Sequence, residues 1–331
     1  MTSNQSEIRV RGNSVTVPSA WISGQRVITS GKIVCLAVVH DEELIDGQAV
    51  CDPELFISEL EKSGLKADIF CFAQPLTQTT PRYRYYFEWD NAAVIPITSY
   101  ADWWQRRSHD LRRDVKRSKN RGVLIKTCEF NDEFVRGIME IYNETPIRQG
   151  RPFWHYGKDF AAVKNELSTY LDKSEFVGAY HNDELIGFLK IVYVGRLGRL
   201  MFILSKMAHR DKRPTNALIA KAVELCEVKK CSHLTYGNFT YGNGVSSSLT
   251  AFKHRNGFEQ ILFPKYYIPL TFKGKVCLKL KLHHGFKGII PPWLLERART
   301  ARAKLYTGRG AASKPGAETE RPQPAEAPAT R

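Results

Sequence analysis

Apolar positions come in short alternating runs over residues 26–98. Over residues 123–270, runs of strand length instead alternate with stretches repeating every three to four residues. The first region reads as strands: 25–30 and 32–40 form a hairpin about Gly31, 67–73 is buried, and 82–89 and 92–97 flank an Asp90-Asn91 turn. Asp52 before Pro53 has the residue types of a helix cap and first turn, opening a short helix to Ser63. Residues 99–121 read as one basic helix, capped by Ser99 and stopped at Gly122. Its buried stripe is Trp103, Trp104, Leu111 and Val115.

The second region predicts a longer alternation. Residues 123–128 are a strand, and Asn131 caps a helix burying Phe134, Ile138, Ile141 and Tyr142. The polar loop 145–158 leads to a helix capped by Asp159, with Phe160, Val163, Leu167 and Leu171 inward. Residues 175–180 and 185–194 form a hairpin, and 199–205 is a further strand. A helix starting at Thr215 or Asn216 runs to Lys230 and buries Leu218, Ala222, Leu225 and Cys226. Residues 232–236 are a strand, 246–255 a helix, and 258–263 and 266–270 a terminal pair of strands.

Composition narrows the class. The chain has 331 residues, 43% hydrophobic and 25% charged, enough for a core without disulfides or metal. No apolar run reaches the roughly 18 residues of a membrane span. Residues 1–25 read as a flexible, polar N-terminus without a signal-peptide core, and 308–331, rich in Ala, Pro and Glu, as a disordered tail. The seven cysteines make no C-x-x-C pair, so they read as reduced core thiols in a cytoplasmic protein without a metal centre. His283 and His284 are adjacent, lack the i, i+4 spacing of helix ligands, and read as part of the basic C-terminal segment.

The net charge of +15 is uneven. Residues 101–126 and 272–310 carry all of the net excess of Lys and Arg, leaving the rest of the chain neutral overall, which points to an anionic partner such as tRNA or a membrane surface. In 272–307, lysines alternate with Leu, Phe and Trp, as in an amphipathic appendage that lies on an anionic surface while the protein stays peripheral.

The order β-α-α-β-β-β-α-β-α-β-β, the basic LRRDVKRSKNRGV helix, the HNDELIGFLKIVYV hairpin and the SLTAFKHRNGF segment together resemble the GNAT acyltransferases. The resemblance is to the FemAB and BioF2-like branch with tandem subdomains. It implies an α/β (α+β) fold: a GNAT-like mixed sheet flanked by helices, with a degenerate first subdomain at 26–98 and the acyltransferase subdomain at 99–271. It also implies transfer of an acyl group from an acyl thioester such as acyl-CoA to an amine acceptor. The alternatives are an aminoacyl-tRNA donor, as in FemAB-type enzymes, or a non-catalytic protein that binds RNA or a membrane surface. GNAT enzymes usually cradle the CoA pyrophosphate on a Gly-rich loop before a helix. The loop here, KMAHRDKRPTNA, has no glycine, leaving His209, Arg210, Lys212, Arg213, Thr215 and Asn216 as candidate donor-binding residues.

Acyl transfer needs a proton acceptor, an oxyanion stabiliser and a leaving-group acid. In loop 145–158 and just before it, Glu144 and His155 are candidate bases, and Arg148, Gln149, Arg151 and Tyr156 candidate acceptor contacts. In TYGNFTYGNG, residues 235–244, Tyr241 is the candidate general acid, with Tyr236 and Asn238 beside it. Lys253 is a candidate phosphate contact.

Overall fold

The computed structural model describes residues 4–10, 13–31, 33–241 and 248–285. The expected tail 308–331, the appendage beyond residue 285, and Gly242 and Gly244 lie outside the described residues.

Strands β1 (Asn4–Val10), β2 (Asn13–Ile22), β3 (Gln25–Ser30) and β4 (Leu36–Val39) open the chain as antiparallel neighbours. Residues 4–10 and 13–22, expected to be flexible, thus belong to the sheet. The alternation in SVTVPSAWI is the signal, with Ile22 buried and Trp21 exposed. Helix α1 (Pro53–Lys62) is capped by the Asp52 side chain and crosses to β5 (Ile69–Ala73), which lies parallel to β4.

The strand that follows, β6 (Phe87–Pro96), is continuous. Asp90 and Asn91 form no turn; they pair with Phe263 and Leu262 in mid-strand. The basic helix is two helices, α2 (Tyr100–Gln105) and α3 (His109–Asn120). Ser108 ends the break by accepting a hydrogen bond from the Leu111 N–H, so a second cap splits the expected single helix.

The second half runs β7 (Leu124–Cys128), α4 (Asp132–Asn143), the short hairpin β8 (Ile147–Arg148) and β9 (Arg151–Pro152), and α5 (Phe160–Leu167). Then come β10 (Ser174–His181), β11 (Glu184–Val194), β12 (Leu197–Ser205), α6 (Pro214–Val228), β13 (His233–Thr235), α7 (Ser248–Arg255), β14 (Glu259–Pro269) and α8 (Phe272–Lys279). The caps at Asn131 and Asp159 are as expected. Residues 259–269 are one strand rather than two.

The large sheet has the order β1-β2-β3-β4-β5-β14-β6-β13-β12-β11-β10-β7. Its halves mirror each other. Each has an antiparallel run ending in a parallel pair (β4 with β5, β12 with β13) bridged by one helix (α1 or α6). The last strand of each half pairs into the other: β6 with β13, and β14 with β5. Burial follows this exchange. Tyr266 and Ile268 of β14 join Phe56, Leu60, Phe70 and Phe72 in the first core, while Ala93 and Ile95 of β6 join Leu189, Leu218, Val223 and Leu234 in the second. Helices α4 and α5 cover the other side of the second half through Phe134, Ile138, Ile141, Val163 and Leu167. No helix among the described residues is long and apolar enough to cross a membrane.

Candidate active site

The two parallel strands β12 and β13 pair only over Leu197–Arg199. Beyond that point β12 keeps β11 on one side as far as Ser205. The chain after β13 turns with β6 instead: Tyr236 N–H donates to the Ala93 carbonyl (2.9 Å), and Ala93 N–H to the Gly237 carbonyl (2.8 Å). The strands therefore open, with Ile203 on one side and Tyr236, Phe239 and Phe252 on the other packed against one apolar cluster.

Lys253 of α7 is fully buried in this region. Its ammonium donates to the Asn238 carbonyl at 2.5 Å and to the Tyr241 hydroxyl at 3.3 Å. It also faces the rings of Tyr236 and Tyr241 at 4.5 and 4.8 Å from their centroids. No carboxylate pairs with it among the described residues. Burial alone pushes its pKa down to about 8. Burial also raises the phenol of Tyr241, although Arg199 opposes this, so Tyr241 is protonated at neutral pH. Tyr241 is half exposed, which makes it the link between the buried ammonium and solvent.

The loop that carries these groups is held from β6. The Asn91 side chain accepts from Thr240 N–H at 2.8 Å, and Asn238 Nδ2 donates to Asp90 Oδ1 at 3.1 Å. Gly237 has φ +51°, and a Cβ there would meet the Tyr241 hydroxyl at 3.0 Å. At the far end of α7, Gly257 (φ +84°) receives Arg107 from the α2–α3 break; Arg107 Nη1 donates to its carbonyl at 3.1 Å. Asp90-Asn91 reads in sequence only as a turn and Arg107 only as one of many basic residues, because their role depends on pairings about 150 residues away.

The other candidates divide into separate groups. Glu144 is spent on structure: its carboxylate accepts from Met207 N–H (2.6 Å), Ala208 N–H (2.8 Å) and Arg148 Nη2 (3.0 Å). Arg148 also donates to the carbonyls of Ser205 and Ile141, tying α4 to the end of β12. Burial lowers its pKa, Glu144 opposing. His155 is buried against Tyr142 and Trp154, with Nδ1 3.3 Å from Glu166. Burial depresses its pKa and outweighs Glu166, so the ring stays neutral. Glu166 also takes Lys158 at 2.9 Å; these partners hold its carboxyl below the usual range against the opposing pull of burial. Neither proposed base is hydrogen-bonded to Tyr241 among the described residues. Loop 145–158 is not structureless: Gln149 (φ +52°) and Gly150 (φ +71°) turn the β8–β9 hairpin. Gln149 Oε1 accepts from Ser248 Oγ at 3.3 Å, which brings this hairpin to the start of α7. Arg151 and Tyr156 are exposed beside it.

The loop between β12 and α6 tests the CoA expectation. Met207 and Ala208 N–H groups go to Glu144. Those of Arg210, Lys212, Arg213, Asn216 and Ala217 go to carbonyls of Met207, His209, Arg210, Arg213 and Arg213 respectively. Pro214 has none. Seven of the loop's backbone donors are thus occupied, those of His209, Asp211 and Thr215 not being among them, and the loop lacks the glycines of the usual CoA cradle. The side chains are engaged as well. His209 lies 3.3 Å from Glu184, Lys212 3.7 Å from Asp211, Arg213 3.5 Å from Asp114, and Thr215 Oγ1 3.0 Å from Ser205 Oγ. Asn216 Nδ2 donates to Asn256. Arg210 is exposed. Close by in sequence to the α2–α3 break, Trp104, His109, Arg112, Arg113, Lys116 and Arg117 line an open basic groove of about 520 Å³.

No protein-family model and no curated protein matches the sequence. Solved structures do match. FemX superposes with a TM-score of 0.56 at 10% identity, over 85% of this chain and 90% of FemX. The chain shares the fold of FemX, a large mixed sheet flanked by helices. L-PGS from Bacillus licheniformis matches at a TM-score of 0.51 and 13% identity, over 80% of this chain and 88% of its own. A C-terminal domain from Agrobacterium fabrum, described as that of a lysylphosphatidylglycerol synthetase, matches at 0.50 and 9% identity, over 80% and 88%. At these identities the likeness is one of fold, and function rests on the site.

Proposed function

We propose that this protein is an acyltransferase that moves an aminoacyl group from an RNA ester to an amine acceptor at the opening beside β12. The observation that carries this reading is the Lys253–Tyr241 pair: a buried ammonium without a carboxylate, hydrogen-bonded to a half-exposed phenol. The shared fold with FemX supports the reaction class. The glycine-free loop before α6, with seven of its N–H groups already bonded within the protein, favours a donor other than CoA. The basic groove on α3 suits the phosphates of an RNA carrier.

In this mechanism the acceptor amine attacks the carbonyl carbon of the ester, and the carbonyl electron pair moves onto oxygen. As the tetrahedral intermediate collapses, the carbon–oxygen bond to the carrier breaks. Tyr241 gives its proton to the departing oxygen, and Lys253 stabilises the phenolate that is left. The proton released by the amine restores the phenol. Lys253 acts through Tyr241 and sets its charge environment; Tyr241 touches the reacting atoms.

The test measures transfer from aminoacyl-tRNA and from acyl-CoA thioesters to a panel of amines. Transfer from charged tRNA that falls at least ~100-fold in Tyr241→Phe supports the proposal. Transfer from CoA alone, or full activity in Tyr241→Phe, overturns the donor or the acid respectively.

A further inference from the structure

We propose that Glu88, His283 and His284 form a binding site for a divalent cation of the zinc class. Glu88 lies on β6, and the two histidines lie in the single turn after α8, so the carboxylate is 195 residues from the first of the adjacent pair. Lys281 adopts a left-handed conformation (φ +56°), and the 3₁₀ turn from Leu282 to His284 brings both rings to one side, with centroids 4.0 Å apart. Adjacency therefore does not separate them as the sequence suggested. His283 Nε2 lies 3.1 Å from Glu88 Oε1, and His284 Nε2 lies 2.6 Å from Oε2.

The three ligand atoms lie within 4.8 Å of one another. Zinc bonds of about 2.0–2.1 Å place tetrahedral ligands roughly 3.3 Å apart, so small ring rotations close the site. Tyr86 donates to Glu88 Oε1 at 2.9 Å and orients the carboxylate. Glu88 and His284 remain partly exposed, which leaves a fourth position open to water. Two imidazoles and one carboxylate favour zinc over magnesium or calcium. The site shares no residue with the Lys253–Tyr241 pair and does not depend on the transferase reading. A bound ion would clamp α8 and the following turn onto β6.

The full chain, without a polyhistidine tag and stripped with chelator, is titrated with Zn²⁺ and, separately, with Co²⁺. One Zn²⁺ is expected to bind at low micromolar concentration, raising the melting temperature where Mg²⁺ does not. Glu88→Gln and His284→Ala should each weaken binding at least ~10-fold with unchanged circular dichroism, Glu88→Gln serving if the histidine variant fails to fold. Bound Co²⁺ should give a visible d–d spectrum without a thiolate charge-transfer band. No binding up to ~100 µM, equal affinity in both variants, or a thiolate band from the free cysteines overturns the site.

Discussion

Asn216 Nδ2 donates to Asn256 Oδ1 at 2.9 Å, which ties the first turn of α6 to the residue that ends α7. Asn256 is fully buried and also donates to the Phe252 carbonyl at 2.8 Å. This contact fixes the helix that carries Lys253. Asn216→Ala and Asn256→Ala should each cost about 1–3 kcal/mol by leaving a buried amide unpaired. A double-mutant cycle by urea unfolding should show coupling, whereas additive losses would mean that the two amides act independently.

Lys253 predicts a pH dependence of stability with a definite sign. Its folded pKa of about 8 lies below the unfolded value of ~10.4. Between these values the unfolded chain binds more protons, so this group's contribution to stability rises with pH across that window. Lys253→Met should remove a rise of on the order of 1–3 kcal/mol between pH 7 and 10, measured as the difference between the two denaturation series. Its transfer rate should fall at least ~10-fold, and the decline of rate expected above pH 8 in the parent should be absent from the variant. A variant that keeps that decline would remove Lys253 from the mechanism.

Glu144 is predicted to act on stability rather than proton transfer. Glu144→Ala frees two N–H groups and leaves the Arg148 guanidinium without its carboxylate. A loss of about 2–4 kcal/mol is expected. The pH profile of transfer by the folded fraction should keep its shape; loss of the acidic limb with unchanged stability would restore Glu144 as the base.

The His155–Glu166 pair gives the same sign in a more acid window. Both groups have depressed folded pKa values, so the stability they contribute is present above their unfolded values and is lost as pH falls. His155→Gln should flatten the fall in melting temperature between pH 7 and 5 while transfer stays within about threefold. A large loss of transfer without a change in that slope would place His155 in the chemistry.

The parts legible in the sequence were those set by neighbours. Asp52, Ser99, Asn131 and Asp159 each cap a helix through an N–H two or three residues on. What escaped was set by distant pairing. Asp90-Asn91 has turn chemistry, yet β14 on one side and the 238–240 loop on the other hold it extended. Pro264 looks like a break, but β14 runs through it between β5 and β6. Lys253 was noticed for its charge; its burial, which lowers its pKa, comes from Tyr236 and Tyr241 folding over it. Glu144 and His155 had the right chemistry for a base, but the structure places backbone amides and a carboxylate against them.

The exchange of β6 and β14 makes each half a guest in the other. A chain divided between residues 98 and 99 would give one fragment with β6 hanging beyond its own last neighbour, and a second with β14 likewise stranded. Neither fragment could close its core without Tyr266 or Ile95 from its counterpart. The junction at 97–99 therefore cannot serve as a hinge, and the two halves are expected to unfold in one step, as a clasp that opens only when both hooks release.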